Sequence, residues 1–333
     1  MVRRREPPPV PGPPTLGPLV QGTGTSCKIF VEIGGAYATF PRIVKNRAPV
    51  AQSAGKLPRW TREEDAAKVY EEYWGLATAP FQNVPDPNFF FLSVQHREGL
   101  ARLLYAVKHN KGAALLVGDV GCGKTTLSRA FIVKLAEEKY DVGLLTNPSL
   151  PSLDFLEEVD LQLGIHPTNS NKVSMLRALN ERLLSNMQEG KDSVLIVDEA
   201  HSIRDPEVFE ELRMLLNFQL NERFLLTLIL MGQPEIREMI RPLPQLDQRI
   251  AIRYHLKPLD QFETARYIAF RLQKAGAKRA FFADDALQLV WQQSGGVPRS
   301  INTLCDLCLL EGYATDAQVV DGALVRRVSA TLV

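Results

Sequence analysis

The sequence has no apolar run approaching the roughly 20 residues that a membrane-spanning helix requires. Its basic start, Arg3-Arg4-Arg5, is followed by prolines rather than an apolar stretch, so we expect no secretory signal. Cysteine is scarce, and the four cysteines predict neither a disulfide framework nor a metal quartet. Cys305 and Cys308 form a C-x-x-C within a helical pattern, which favours buried thiols over redox or zinc chemistry. These absences indicate a cytoplasmic protein.

Net charge is also almost absent, because 39 Lys and Arg residues offset 38 Asp and Glu residues to leave +1. Residues 1–60 carry nine of the basic residues and two of the acidic ones, so the remaining chain is slightly acidic. That balance is not typical of a constitutive nucleic-acid binder, although local basic patches are compatible with it. Residues 1–60 also hold ten of the 22 prolines and seven of the 22 glycines. This composition, with no sustained period, predicts a disordered tail.

From residue 61, short apolar runs alternate with helical patterns. Apolar strands separated by helices indicate an α/β fold with a parallel sheet covered on both faces. After residue 257 the strands stop and only helical patterns follow, which predicts a core domain over residues 61–257 and a small all-helical domain over residues 258–333. The predicted strands are 113–117, 142–146, 194–197, 225–231 and 250–256; the predicted core helices include 94–109, 124–138, 152–163, 173–188 and 206–220.

The segment after the first strand, GDVGCGKT at residues 118–125, matches G-x-x-x-x-G-K-[ST] at every fixed position. Its glycines allow a tight turn that points backbone N–H groups at phosphate oxygens, and the following helix adds its positive dipole end. Lys124 would reach the β- and γ-phosphates, and the Thr125 hydroxyl would ligate Mg²⁺. We therefore predict a P-loop NTPase that binds ATP and Mg²⁺. The predicted nucleotide-binding residues here are Gly118, Asp119, Val120, Gly121, Cys122, Gly123, Lys124, Thr125 and Thr126.

Two carboxylates follow the third predicted strand. A buried parallel strand places Asp198 and Glu199 at the carboxyl edge of the sheet, where open α/β sheets bind ligands. Asp198 is predicted to hold Mg²⁺ through water, and Glu199 to orient the attacking water as the catalytic base. The alternative for this pair is a solvated acidic turn. His201 is interpreted as a helix-surface histidine, with a contact to the γ-phosphate region as the alternative.

Four further polar residues are candidates for sensing or completing the site. Gln233, after the fourth strand, is predicted to sense the γ-phosphate, with a local turn amide as the alternative. Arg249 is predicted to act in trans on a neighbouring subunit's nucleotide, with Arg253 in reserve; a surface arginine is the alternative. Arg299, at the start of a lid helix, is predicted to contact the phosphates, with a plain helix-start arginine as the alternative.

Taken together, these motifs resemble the AAA+ ATPase superfamily. Longer segments are similar to its ExeA/GspA branch, the general secretion pathway protein A-like proteins, whose relatives include MuB- and TnsC-type ATPases. The resemblance covers about residues 69–330. The segments that carry it are YEEYWGL at 70–76, PF at 80–81, PDP at 85–87, HREGLARL at 96–103, EELR at 210–213, GQPE at 232–235 and LDQR at 246–249.

The resemblance implies a RecA-like core with strand order 5-1-4-3-2, followed by a helical lid. It implies nucleotide at the core–lid junction, in a homo-oligomeric ring or filament, with residues 73–87 flanking the adenine. Secretion members often continue into a transmembrane helix and a peptidoglycan-binding domain, whereas this chain stops at Val333, so we expect a soluble ATPase. Many members begin with Met-Tyr, and because Val69-Tyr70 occupies that place we expect translation from Val69.

Several functions agree with this resemblance. We favour an ATP-hydrolysing oligomeric switch or motor that acts on a protein client in assembly of secretion, pilus or export machinery. The first alternative is an ATP-dependent DNA-binding regulator of the transposition type, so DNA stays a possible partner; the second is a slowly hydrolysing signalling switch. Residues 147–152, where DNA-contacting cations are expected, contain none, and Arg204 is a lone candidate nearby.

Overall fold

A computed structural model describes residues 29–33, 36–40, 70–84, 89–135, 139–166, 171–220 and 223–332. Its centre is a five-stranded sheet in which every pairing is parallel. The strand order is β2-β3-β4-β1-β5, which is the predicted order 5-1-4-3-2 read from the other edge. The strands are β1 (Ala113–Gly118), β2 (Tyr140–Leu145), β3 (Asp192–Val197), β4 (Leu226–Gly232) and β5 (Ile250–Leu256).

Helices cover both faces of the sheet because successive strand residues point in opposite directions. In β1, Leu115 packs into a cluster with residues of helices on one face, whereas Leu116 packs with helices on the other. Both side chains are nearly inaccessible to solvent. The helices that precede the lid are α1 (Glu71–Trp74), α2 (Val94–Lys108), α3 (Lys124–Lys134), α4 (Ser152–Gln162), α5 (Lys172–Gln188), α6 (Pro206–Leu215), α7 (Ile236–Ile240) and α8 (Pro244–Asp247).

Four helices follow the sheet and form the lid. They share a buried cluster that contains Cys305 and Cys308, so these two cysteines are buried thiols, as predicted. Burial raises the pKa of both thiols, which keeps them protonated. The lid helices are α9 (Gln261–Lys274), α10 (Asp284–Ser294), α11 (Pro298–Ala314) and α12 (Gly322–Ser329).

The segment that precedes the core packs on the lid. Tyr70, Trp74 and Phe81 belong to the lid's apolar cluster, and the Trp74 Nε1–H donates to the Leu309 carbonyl at 2.9 Å. The lid therefore draws part of its core from a segment that the sequence analysis assigned to the first domain. The domain boundaries themselves stay a prediction.

Two short hairpins depart from the sequence predictions. Residues 29–33 and 36–40 pair antiparallel within the stretch expected to be disordered. The rest of residues 1–60, and the predicted start at Val69, lie outside the described residues. The helix predicted over 206–220 ends at Leu215, and residues 219–220 pair antiparallel with 223–224. Among the described helices, none is both long and apolar enough to span a membrane.

Candidate functional site

The P-loop links the end of β1 to the start of α3. Gly121 and Gly123 adopt positive φ angles of 81° and 93°, a backbone region that glycine enters without a steric penalty. A side chain at either position would also clash with a neighbour. A Cβ on Gly121 would lie 2.7 Å from the Cβ of Arg299, and one on Gly123 would lie 2.8 Å from Nε2 of His96. Both glycines are therefore required by the turn and by close neighbours.

Lys124 holds its charge inside the loop. Its side chain is buried, at 5% exposure, and its Nζ donates to the carbonyls of Gly118 at 2.8 Å and Asp119 at 3.1 Å. The carbonyls satisfy the ammonium group without neutralising it, so Lys124 keeps its positive charge beside the start of α3. An anion is the ligand that this arrangement favours.

His96 lies directly under the loop and was not predicted as a site residue. Ser93 caps α2 by accepting from the His96 N–H, and the Ser93 hydroxyl also lies 2.8 Å from Nδ1 of the ring. On its other side, Nε2 is 3.1 Å from the Cys122 carbonyl of the P-loop. Burial lowers the pKa of His96 to about 4, although the bond to Cys122 acts in the opposite direction. The ring is therefore a neutral spacer between α2 and the loop. The sequence signal was weak, because His96 sits within an amphipathic helical pattern.

The acidic pair emerges from β3 as predicted. Asp198 is buried, and its Oδ1 accepts from the Glu199 N–H at 2.9 Å. Glu199 has a φ of 52°, a left-handed conformation that costs a non-glycine residue roughly 1–2 kcal/mol. That turn leaves the Glu199 side chain at the cavity wall, with 43% of its surface exposed. Strained backbone of this kind is common at functional sites.

His201 brings Glu199 and Gln233 together, which corrects its interpretation as a surface histidine. The Gln233 backbone N–H donates to Nδ1 at 3.3 Å, which assigns the ring proton to Nε2. Nε2 lies 3.4 Å from the Glu199 carboxylate and 2.6 Å from the Gln233 side-chain amide. Because a protonated Nε2 donates, the Gln233 amide accepts from it through its oxygen. The ring therefore links the candidate base to the candidate sensor. Its position two residues after Glu199 was the available sequence signal.

The candidate trans-acting arginines lie away from this chain's own loop. Arg249 directly precedes β5, and β1 and β5 are parallel, so Arg249 lies at the sheet edge opposite the P-loop. The seven residues of β5 span about 20 Å. Arg249 donates to the Arg213 carbonyl at 3.4 Å, whereas Arg253 is paired with Asp247 at 2.7 Å. Neither residue lines the cavity of its own chain, and a role in trans stays a prediction.

A cavity of about 310 Å³ lies between the core and the lid. Its lining includes P-loop residues together with Glu199, Gln233 and Arg299. The Arg299 N–H also donates to the Gly121 carbonyl at 3.4 Å, so the lid touches the loop directly. The rest of the lining combines apolar and aromatic residues, Val84, Phe89, Phe90, Phe91, Leu259 and Tyr267, with polar ones that include Gln82, Asn83 and Arg271. Tyr73, at the start of the segment predicted to flank the adenine, instead donates to the Ala317 carbonyl of the lid.

Thr125 and Asp198 are the candidate metal ligands. Thr125 lines the cavity, and Asp198 ends β3 beside Glu199. Hydroxyl and carboxylate oxygens are the donors that Mg²⁺ prefers, and this ion usually takes only one or two of them from a protein alongside phosphate oxygens. The residues present therefore fit Mg²⁺ held jointly with a nucleotide.

A parallel sheet in the order 5-1-4-3-2, a P-loop after its first strand, an acidic pair after its third and a helical lid define an AAA+ P-loop protein. A model of the AAA domain matches residues 107–240. The chain is 40% identical over 250 residues to the General secretion pathway protein A of Aeromonas hydrophila. That match covers 74% of this chain but 45% of the relative. The predicted family is thus confirmed: the chain is an AAA+ protein of the ExeA/GspA-like type.

Solved structures support the fold. The ORC2 protein of Aeropyrum pernix, in its ADPNP-ADP complexes, superposes with a TM-score of 0.57 at 18% identity, covering 75% of this chain and 71% of that one. Cdc6p of Pyrobaculum aerophilum gives a TM-score of 0.55 at 15% identity, covering 75% and 72%. At these identities the likeness concerns the fold alone.

Proposed function

We propose that this protein binds ATP with Mg²⁺ at the core–lid cavity and hydrolyses it. The observation that carries the proposal is the convergence of Lys124, Thr125, Glu199 and Arg299 on one cavity. These groups supply what phosphoryl transfer needs, namely charge to neutralise the phosphates, a metal ligand and a carboxylate to orient water. Thr125 and Asp198 would hold Mg²⁺, which would supply further positive charge against the phosphates.

The steps that the protein's own residues perform follow from their positions. The P-loop amides and Lys124 bind the triphosphate, and Glu199 accepts a proton from the attacking water. Because the Nε2–H of His201 faces the Glu199 carboxylate, it competes with water for that carboxylate. Gln233 shares the same ring nitrogen, so a Gln233 that turns toward the γ-phosphate would alter the hydrogen bonding of Glu199.

The binding step is tested by Lys124→Ala, with Lys134→Ala as the matched control, because Lys134 lies on the same helix but is exposed. We expect Lys124→Ala to abolish Mg²⁺-dependent ATP binding in isothermal titration calorimetry and Lys134→Ala to preserve it. Unchanged affinity of Lys124→Ala would refute the loop assignment.

The chemical step is tested by Glu199→Gln, which keeps the side chain's size but removes its basicity. We expect ATP to remain bound while turnover falls by a factor on the order of a hundred or more. Turnover within a few-fold of the unmodified protein would remove Glu199 from the mechanism.

We further propose that the active form is a homo-oligomer in which Arg249 completes a neighbour's site. Its place at the opposite sheet edge supports this role, because it cannot serve its own P-loop. Arg249→Ala should bind ATP but not turn it over, and mixing it with Glu199→Gln should restore partial activity. Arg253→Ala is the comparison variant; loss of turnover in that variant alone would assign the role to Arg253.

The pathway we propose is assembly of secretion, pilus or export machinery, acting on a protein client. Its support is the 40% identity to a general secretion pathway protein. The test is binding to duplex DNA at several salt concentrations, with and without ATP. We expect weak binding that ATP does not alter; strong ATP-dependent binding would contradict this pathway.

A further inference from the structure

A buried arginine of the lid, Arg271 on α9, reaches across to the segment that precedes the core. Its Nε donates to the Pro80 carbonyl at 2.6 Å and one terminal nitrogen donates to the Gln82 carbonyl at 2.9 Å. The other terminal nitrogen donates to the Tyr267 hydroxyl at 3.0 Å. Only 7% of Arg271 is exposed, yet these three acceptors are neutral oxygens. A buried cation held by neutral groups is costly unless its hydrogen bonds are well made.

The same contacts continue around the cavity. The Tyr267 hydroxyl donates to Oδ1 of Asn302 at 2.8 Å, and Nδ2 of Asn302 donates to Oδ1 of Asn83 at 3.0 Å. Asn83 in turn donates to the Thr303 hydroxyl at 3.2 Å. The segment at residues 80–83 is thus bound to α9 through Arg271 and to α11 through Asn83.

Arg271 also touches the aromatic wall of the cavity. Its guanidinium carbon lies 4.8 Å from the centre of the Phe89 ring, within the range of a cation–π contact. Phe89, Gln82 and Asn83 all line the same cavity as the P-loop residues. Since the P-loop residues take the phosphates, a flat heteroaromatic base belongs against the aromatic residues of the lining.

We infer that Arg271 is a positioning residue for the base of the bound nucleotide. It fixes residues 80–83 and Phe89 against the lid. The base therefore binds to residues that are already ordered, and binding does not have to order them. The inference rests on the proposed function, because it concerns the same cavity. Its distinguishing consequence is that Arg271 affects the part of the affinity that depends on the base, and not the part that depends on the phosphates.

The experiment compares ATP with inorganic tripolyphosphate, each with Mg²⁺, by isothermal titration calorimetry. Arg271→Lys keeps the charge, but an ammonium cannot present the planar fork that reaches three acceptors. We expect Arg271→Lys to weaken ATP binding by about ten- to a hundred-fold, the range for loss of charge-assisted buried hydrogen bonds. Affinity for tripolyphosphate should change less than about two-fold.

Two further variants separate this effect from loss of folding. Asn83→Ala removes the far end of the same chain of hydrogen bonds at an exposed residue, and it should weaken ATP binding selectively, though by less. Arg279→Lys is the matched control, because Arg279 is an exposed lid arginine that donates to a single carbonyl, that of Gln318; it should change neither affinity.

The inference is overturned if Arg271→Lys binds ATP as the unmodified protein does, or if it loses both ligands equally. Failure of the proposed function gives a different result, in which the unmodified protein itself binds neither ATP nor tripolyphosphate.

Discussion

Acidification should destabilise this protein through one buried histidine, His96. Only 4% of the residue is exposed, and its ring nitrogens face the Ser93 hydroxyl at 2.8 Å and the Cys122 carbonyl at 3.1 Å. Burial lowers its pKa from 6.5 to about 4, because a charged imidazolium would lose its hydration beneath the P-loop. The folded protein therefore resists a proton that the unfolded chain accepts.

The sign and size of the effect follow from linkage. Between pH 6.5 and 4 the unfolded state binds more protons at this site, so the free energy of unfolding decreases as the pH falls. The contribution of His96 is fully present above pH 6.5 and is lost progressively down to pH 4. From its folded pKa of about 4, the loss is about 1.4 kcal/mol at pH 5.5 and about 3 kcal/mol at pH 4.

The assay is urea unfolding at pH 7.5 and pH 5.5, followed by tryptophan fluorescence. His96→Gln keeps an amide donor near Cys122 but does not titrate. From pH 7.5 to pH 5.5, the free energy of unfolding of this variant should therefore fall by about 1.4 kcal/mol less than that of the unmodified protein. His166→Gln is the control because His166 is exposed, and it should follow the unmodified protein. An identical decrease in His96→Gln and the unmodified protein would show that His96 is not the group responsible.

Two further predictions concern the glycine pair that precedes α11 and the acidic pair that follows β3. In Gly296→Ala, the new Cβ would lie 1.9 Å from the Leu259 carbonyl oxygen, so we expect about 1–3 kcal/mol of destabilisation beyond the cost of its positive φ, measured by thermal melting. Gly295→Ala shares the positive φ but has nothing within 4 Å of its Cβ, and equal melting temperatures for the two variants would contradict the clash. In His201→Gln, loss of the link to Glu199 should lower kcat about ten-fold while KM for ATP changes little; steady-state ATPase kinetics that show an unchanged kcat would exclude that link.

Comparison of sequence and structure shows where local patterns suffice. The five strands begin and end within about two residues of their predicted bounds, because burial on both faces leaves continuous apolar runs that can be read directly. The strand order came from the family resemblance rather than from these runs. The helix predicted over 206–220 ends at Leu215 because its last residues join a hairpin that local helical preference does not reveal.

The sequence by itself determined the P-loop, the acidic pair after β3 and the family, because each depends on residues adjacent in the chain whose chemistry and backbone conformation are set locally. Only the tertiary structure placed His96 under the loop, His201 between Glu199 and Gln233, and Arg271 against residues 80–82. Those contacts join residues between 26 and 191 positions apart. No pattern within one helix or strand records a contact of that kind, because it exists only once the sheet and lid have packed.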